Sequence, residues 1–273
     1  MTPPLRTAVV TIVHGRHDHL ALQLAGLAAQ TRPADRHVVV AMGDDAVRGL
    51  VGDLTGGAAL VVELPAADRL PLAAARNAGA AAALADGAQL LVFLDVDCVP
   101  APTLVQRYAA AATDGVLDSG PVTHLPPPPP GGYDLATLGS LAGPHPARPA
   151  PADGVVQTAA DHRLFWSLSF ALTAATWRRL GGFCESYAGY GGEDTDFAET
   201  AHAAGVPLRW VGGALAHHQH HPVSRPPVEH LDDVLVNGRV FADRWGWWPM
   251  QGWLDAFAER GLVRREGAGW VAA

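Results

Sequence analysis

The chain has 273 residues, enough for one large α/β domain or one domain plus an appendage, and 49% of them are apolar, so a sizeable core can be buried. The formal net charge is −8, which excludes the basic footprint expected of a nucleic-acid binder or an anionic-membrane binder. All 19 basic residues are arginine, a coding bias that weakens any argument from arginine as a phosphate-seeking residue. The two cysteines, Cys98 and Cys184, have no CxxC spacing, so we expect free, buried thiols in a reducing cytosol. Met1–Val13 lacks the apolar core of a signal peptide. No run of about 18 apolar residues appears, so the sequence predicts no membrane span and a cytoplasmic protein, at most peripheral at the inner membrane face.

In chain order, Thr7–Val13 is continuously apolar and β-branched, the pattern of a buried parallel strand. A polar turn at His14–Asp18 precedes helical periodicity over His19–Gln30, which stops before Pro33. Two further strands are predicted at His37–Met42, ending at Gly43-Asp44-Asp45, and at Leu60–Leu64. Pro71–Ala85 reads as a helix containing Arg76 and Asn77. Gln89–Leu94 reads as a strand running into Asp95-Val96-Asp97. This alternation predicts an α/β fold with a mostly parallel sheet flanked by helices, whose ligands sit at the carboxyl ends of strands.

Gly120–Gly154 breaks the pattern. It contains Pro126–Pro130 and further Pro and Gly, so it is excluded from a central strand or helix and is expected as a flexible insert. Order is predicted to return with Leu164–Leu172, a helix over Ala174–Leu180 closed by Gly181-Gly182, a helix over Thr195–Ala204, and a strand at Leu208–Val211. The expected organisation is a first α/β half over 1–100, the insert over 120–154, and a second half over 164–225. A helical extension over 226–273 carries Trp245, Trp247, Trp248 and Trp253. Those tryptophans are expected chiefly to pack the helix onto its domain, the alternative being stacking on a sugar face.

Three constellations carry chemistry. Asp95 and Asp97 leave a strand at a turn, where both carboxylates can converge on a hard cation such as Mn²⁺ or Mg²⁺. Such an ion would neutralise charge growing on a departing diphosphate. Tyr190-Gly191-Gly192-Glu193-Asp194-Thr195-Asp196 combines permissive glycines with acids at a helix start, with Asp194 the expected general base. His217-His218-Gln219-His220-His221-Pro222 follows a strand. One segment cannot aim four adjacent imidazoles at one ion, so one or two would ligate and the rest lie exposed.

These residues together resemble an inverting family 2 glycosyltransferase of the GT-A fold, in the branch with a galactosyltransferase-like C-terminal segment, as in chondroitin polymerases. The resemblance runs from Thr7 to Pro222 with the insert unmatched, and is strongest over Leu180–Pro222. It implies a nucleotide-sugar donor held by Val13, His14 and Arg16, by Arg76 and Asn77 of an ARNAG helix start, and by Asp95, Val96 and Asp97. It implies Glu193 and Asp194 as the catalytic acids of a GGED motif, with Tyr190, Gly191, Gly192 and Asp196 on the acceptor side. It further implies a divalent metal, Mn²⁺ or Mg²⁺, on Asp95, Asp97 and a histidine of an HxxHP element, best matched by His218 with His221 after it, or by His217. The family's base-reading Asp-Asp-Gly-Ser is replaced here by Ala41-Met42-Gly43-Asp44-Asp45, so Asp44 or Asp45 would substitute and a UDP-sugar is the default donor. The acceptor would be a hydroxyl of a glycan, glycolipid or small metabolite. A metal-dependent sugar nucleotidyltransferase and an inactive nucleotide-sugar-binding module are the alternatives. A glycoside hydrolase, which needs no metal, is a further rival.

Overall fold

A computed structural model describes residues 4–65 and 67–273. In chain order it contains β1 (Thr7–Val13), α1 (His17–Ala28), β2 (Arg36–Met42), α2 (Ala46–Thr55), β3 (Leu60–Leu64), α3 (Leu72–Ala85), β4 (Leu90–Leu94), β5 (Cys98–Pro100), α4 (Leu104–Ala111), β6 (Leu117–Ser119) and β7 (Val122–His124). There follow α5 (Leu138–Leu141), β8 (Val156–Thr158), β9 (Ser169–Thr173), α6 (Ala174–Leu180), α7 (Glu193–Ala203), β10 (Leu208–Val211), β11 (Ala216–His218), α8 (Leu231–Trp245), α9 (Gln251–Glu259), β12 (Val263–Glu266) and β13 (Gly269–Ala272).

Eight strands form the main sheet in the order β3-β2-β1-β4-β9-β6-β10-β8. The β3-β2-β1-β4 half is parallel, β9 is antiparallel to both β4 and β6, β10 runs parallel to β6, and β8 closes the edge antiparallel. The mixed α/β architecture expected from the alternating pattern is therefore present. β1 and β4 lie buried along their whole length, which is why both read as unbroken apolar runs rather than alternating ones. Helix α3 packs on β1 and β2 through a face of small residues, Ala73, Ala75, Ala80 and Ala83. At Gly79 a Cβ would overlap the Val10 side chain, so only glycine allows this approach. On this side of the sheet the core continues into an aromatic cluster of Phe93, Phe165, Phe170, Trp177, Phe183 and Phe197.

A second sheet of three strands, β5-β11-β7, positions the polar residues. β11 pairs antiparallel with β5 and parallel with β7, putting His218 opposite Cys98 on one side and His124 on the other. β7 lies within the Pro/Gly-rich stretch, as an edge strand, and the single turn α5 lies there too. Leu125 and Leu138 of this stretch are buried against Val99. The C-terminal extension differs from the helical expectation. After α8 and α9 the chain turns into the hairpin β12–β13, because Val263 and Trp270 complete a small separate core with Val234, Leu254 and Phe257. Both cysteines are free. Cys98 is buried but Cys184 is only partly so. Among the described residues no helix is long and apolar enough to cross a membrane.

Candidate active site

The Asp-x-Asp turn lies between β4 and β5. The Gln23 side chain fixes it, donating from Nε2 to the carbonyls of Asp95 (2.6 Å) and Cys98 (3.1 Å), while the Cys98 amide donates to the Asp95 carbonyl at 2.8 Å. At the end of β11 the Gln219 amide donates to the Asp97 carbonyl at 2.7 Å, which brings the histidine segment onto this turn. The result is a three-residue group, Asp97, His218 and His221, whose ligand atoms all lie within 4.8 Å of one another. Both imidazoles stand 3.6 Å from Asp97 Oδ2. Burial lowers the pKa of both histidines, outweighing the opposing pull of Asp97, and so favours the neutral ring that a metal requires. One carboxylate and two neutral imidazoles suit Mn²⁺ and neighbouring metals better than Mg²⁺, which prefers oxygen alone. His217 points elsewhere, its Nδ1 lying 2.9 Å from the Thr123 hydroxyl in the interior, and His220 is exposed. Alternation along β11 separates His217 from His218, because adjacent strand residues face opposite ways.

Asp95, expected as a fourth ligand, is not part of this group. Its Oδ1 accepts from Arg76 Nη2 at 3.1 Å, and the residue faces a different space. That space is a cleft of about 490 Å³, lined among others by Asp95, Glu193, Asp194, Trp166, Tyr190 and Trp253. Arg76 is buried beneath it. Besides Asp95 it donates to Glu193 Oε1 at 3.1 Å and to the Ser167 hydroxyl at 2.8 Å, and its guanidinium lies over the Phe183 ring. Two acids thus converge on one buried cation. Burial pushes Asp95 up to about 6, against the lowering effect of Arg76. Asp194 rises further, to about 7, through burial first and the neighbouring Glu193 second. A carboxylate near neutrality on a cleft wall matches the requirement for a general base.

Asp194 reaches the cleft because Gly191 and Gly192 adopt φ of 90° and 91°, accessible without strain only to glycine, and turn the chain sharply into α7. A Cβ on Gly191 would also lie 2.8 Å from Met250 Sδ. Tyr190 stands at the cleft rim. Asp196, expected on the acceptor side, does not line the cleft. It is buried and accepts from Arg244 Nε (2.7 Å), Trp245 Nε1 (2.7 Å) and the Tyr187 hydroxyl (3.1 Å), so it fastens α8 to α7. The helical period explains this, since two positions after Asp194 the side chain has rotated to another face.

The remaining residues of the expected donor site divide similarly. Arg16 donates to Asp97 Oδ2 at 3.0 Å and belongs with the histidine group. His14 holds the Met42 carbonyl at 2.7 Å, and Val13 is buried behind it. Asp44 accepts from the Gly15 amide (2.7 Å) and lies 2.8 Å from His17 Nε2. Burial raises its pKa, but these bonds outweigh it and the net shift is downward. Asp45 sits exposed at the start of α2, and Val96 is buried against the β1–α1 core. Asn77 is not free for a ligand. Its amide grips Phe183 N (2.9 Å), Phe183 O (2.9 Å) and Glu185 (2.8 Å), pinning α3 to the loop after α6. Residues that line the cleft without having been expected there are Arg163, Trp166, Ser167 and Met250, together with Trp247 and Trp253, which were expected chiefly to pack.

A family described as the N-terminal domain of galactosyltransferase matches residues 159–223, the stretch that carries β9, the GGED loop, β10 and the histidine segment. Among solved structures, GalNAc-T7 with UDP, GalNAc and Mn²⁺ superposes with a TM-score of 0.65 at 16% identity, over 95% of this chain and 51% of that one. The mannosyltransferase PcManGT from Pyrobaculum calidifontis, in complex with GDP-Man and Mn²⁺, gives 0.55 at 18% identity, over 96% and 81%. The chain has the GT-A glycosyltransferase fold. S. aureus TarS 1-349 shares that GT-A fold with a TM-score of 0.60 at 14% identity, over 87% of this chain and 64% of that one. Two relatives, each named validoxylamine A glucosyltransferase, come from Streptomyces hygroscopicus subspecies jinggangensis and limoneus. Each is 31% identical across 50% of this GT-A chain. The chain spans about a third of their length, 36% and 34% respectively.

Proposed function

We propose that this chain transfers a sugar from a nucleoside diphosphate sugar to an acceptor hydroxyl by a metal-assisted single displacement that inverts the anomeric centre. The reading rests above all on one juxtaposition. Asp95 opens onto the cleft that Asp194 faces, and two residues later Asp97 meets His218 and His221. A base and a metal-competent group therefore flank a single turn at the carboxyl end of β4.

When bound at Asp97, His218 and His221, Mn²⁺ would supply Lewis-acid neutralisation of the leaving diphosphate. Asp194 takes the proton from the acceptor hydroxyl as that oxygen attacks the anomeric carbon from the face opposite the diphosphate. Burial, and after it like-charge repulsion from Glu193, keeps the Asp194 pKa high, and Arg76 holds Glu193 and Asp95 in place from below. Arg16, adjacent to Asp97, is the cation assigned to the donor phosphates, with Val13, His14 and Asp44 forming the nucleotide side. Residues 1–100 would then serve the donor, 164–225 the chemistry, and 226–273 the far wall of the cleft.

Uridine is the proposed base, with support from the UDP named in the GalNAc-T7 structure. The GDP-Man named for the archaeal neighbour marks guanosine as the competitor. Thermal shift and diphosphate release across UDP-, GDP- and dTDP-sugars, each with Mn²⁺, Mg²⁺ or EDTA, test the proposal. Stabilisation and turnover are expected with one nucleotide and Mn²⁺, and neither with EDTA. Conversion of a nucleotide sugar and added pyrophosphate to a nucleoside triphosphate and a sugar 1-phosphate, with no nucleoside diphosphate released, would favour a nucleotidyltransferase and overturn the reading.

A further inference from the structure

We infer that the C-terminal extension and Trp166 form an acceptor subsite for an uncharged cyclic polyol of one or two rings, a sugar or a cyclitol. The inference names the acceptor class for the reading above and rests on it. Trp247, Met250 and Trp253 come from the extension, and with Trp166 and Tyr190 they give an apolar, largely aromatic lining to the same cleft that holds Asp95, Glu193 and Asp194. Such a lining receives the C–H face of a pyranose or cyclitol ring, while hydroxyls at the ring edge meet the carboxyls. The volume, about 490 Å³, suits a donor sugar together with a small acceptor rather than a folded chain.

The aromatic lining is braced by its neighbours. Tyr190 is stacked between His230 (4.3 Å between centroids, 17°) and Trp253 (5.6 Å, 24°). Trp247 meets the Phe241 ring edge-to-face at 4.7 Å and carries the Arg163 guanidinium on its face, also at 4.7 Å. Trp166 is held by two residues of the Pro/Gly-rich stretch, the edge-on His145 ring at 5.1 Å and the Arg148 guanidinium at 5.1 Å. Arg148 is buried, donates from Nη2 to the Ser119 hydroxyl at 2.6 Å, and leaves Nε and Nη1 without hydrogen-bond partners. Its charge is offset by the faces of Trp166 and Trp210, 5.1 and 4.8 Å from its central carbon. A cation placed there rigidifies an indole rather than binding a ligand. Three acids in the cleft lining disfavour an anionic acceptor such as a lipid phosphate.

Saturation-transfer NMR with methyl β-D-glucoside, cellobiose and myo-inositol at millimolar concentration tests this, alongside calorimetry of UDP and GDP with Mn²⁺. Transfer to at least one probe is expected in the intact chain. It should fall roughly fivefold in Trp253→Leu and persist in Trp253→Phe, which keeps a ring face. Nucleotide affinity should be unchanged in both variants. The inference is overturned if no probe binds, if Trp253→Leu binds as the parent does while folded, or if glucuronate binds more tightly than the glucoside. Ring binding without nucleotide binding under any condition would support the subsite and sink the transferase reading. Nucleotide binding without ring binding would do the reverse.

Discussion

Replacing Arg76 by methionine probes the centre of the site. The Arg76 side chain is 4% exposed and neutralises two carboxylates, Asp95 and Glu193, the latter 8% exposed. Methionine preserves much of the volume and the contact with Phe183 but leaves the buried Glu193 and the largely buried Asp95, its side chain 23% exposed, without a cation. Breaking a buried ion pair by removing one partner costs about 3–5 kcal/mol. For a chain of this length that corresponds to a fall in Tm of roughly 6–15 °C, measured by calorimetry at pH 7.5. The pH dependence gives a sharper test. Without Arg76 the folded-state pKa of Asp95, already raised by burial, loses the cation that lowers it and rises further above the unfolded value. A carboxylate raised in the folded state binds more protons folded than unfolded, so it destabilises at high pH and ceases to do so once protonated. Asp95 already stands at about 6 through burial, so the gap between variant and parent should narrow as pH falls from 7.5 towards 4.5. Arg76→Lys should recover part of the loss, because an ammonium cannot fork to both acids and Ser167 at once. A variant whose Tm lies within 2 °C of the parent at pH 7.5, or whose deficit grows on acidification, would refute the argument that the cation compensates two buried charges.

Asp194→Asn should lower kcat by roughly 10²–10⁴ while nucleotide affinity, read by calorimetry, stays put. In the parent, kcat/KM should fall as pH drops below about 7, because protonation of Asp194 removes the base. A flat profile from pH 5.5 to 8 would exclude Asp194 from that role. His218→Ala and His221→Ala should each weaken Mn²⁺ binding by about 10-fold or more in equilibrium dialysis, whereas His217→Ala and His220→Ala should leave it unchanged. Replacing Mn²⁺ by Mg²⁺ should lower activity, since two imidazoles suit a nitrogen-accepting ion. Asp196→Asn should leave Mn²⁺ binding intact but loosen the extension, seen as faster tryptic cleavage within 226–273, because it removes the charge that Arg244 and Trp245 grip.

The fold was legible wherever burial acts on both faces of an element. β1 and β4 are buried along their length and β2 from Val38 to Met42, and their boundaries could be read almost residue by residue, whereas the edge strand β3, only partly buried, was legible from its β-branched pair Val61-Val62. Helices α2 and α4 gave no comparable signal. They are short, and each places only two or three residues in the core, so their apolar pattern is sparse. The hairpin β12–β13 was hidden for a related reason, since only Val263 and Trp270 of its residues are buried. In the site, residue types were legible but partners were not. Asp95 and Asp97 look alike in sequence, yet the chain turn sends one to Arg76 and the other to His218 and His221. Asp196 carries the same local signature as Asp194, and only the helical rotation separates an acid on the cleft from one spent on Arg244. Trp253 and Trp248 are likewise indistinguishable as letters. One stacks on Tyr190 at the cleft, while the other fills the space over Gly238 and Gly269.

The loop carrying Asp194 is held from both sides, and this ties the chemistry to the extension. Asn237 of α8 donates to the carbonyls of Ala188 (3.1 Å) and Tyr190 (3.2 Å), and Asp233 accepts from the Tyr190 amide at 3.0 Å. A Cβ on Gly189 would overlap the Asp233 carboxylate, so the contact between loop and helix has no slack. From the opposite side Arg76 grips Glu193. Segments that fix a reacting group need support within about half an ångström, and loops rarely provide it alone. Here α8 does so through side-chain hydrogen bonds to the backbone of a glycine-rich stretch that could otherwise sample many conformations. On the proposed role of Asp194, the extension would bear on catalysis twice: it supplies aromatic residues to the cleft lining, and it restrains the loop on which Asp194 rides. The two roles separate by residue. Loss of Asn237 should lower turnover with every acceptor alike, whereas loss of Trp253 should change which acceptors are used.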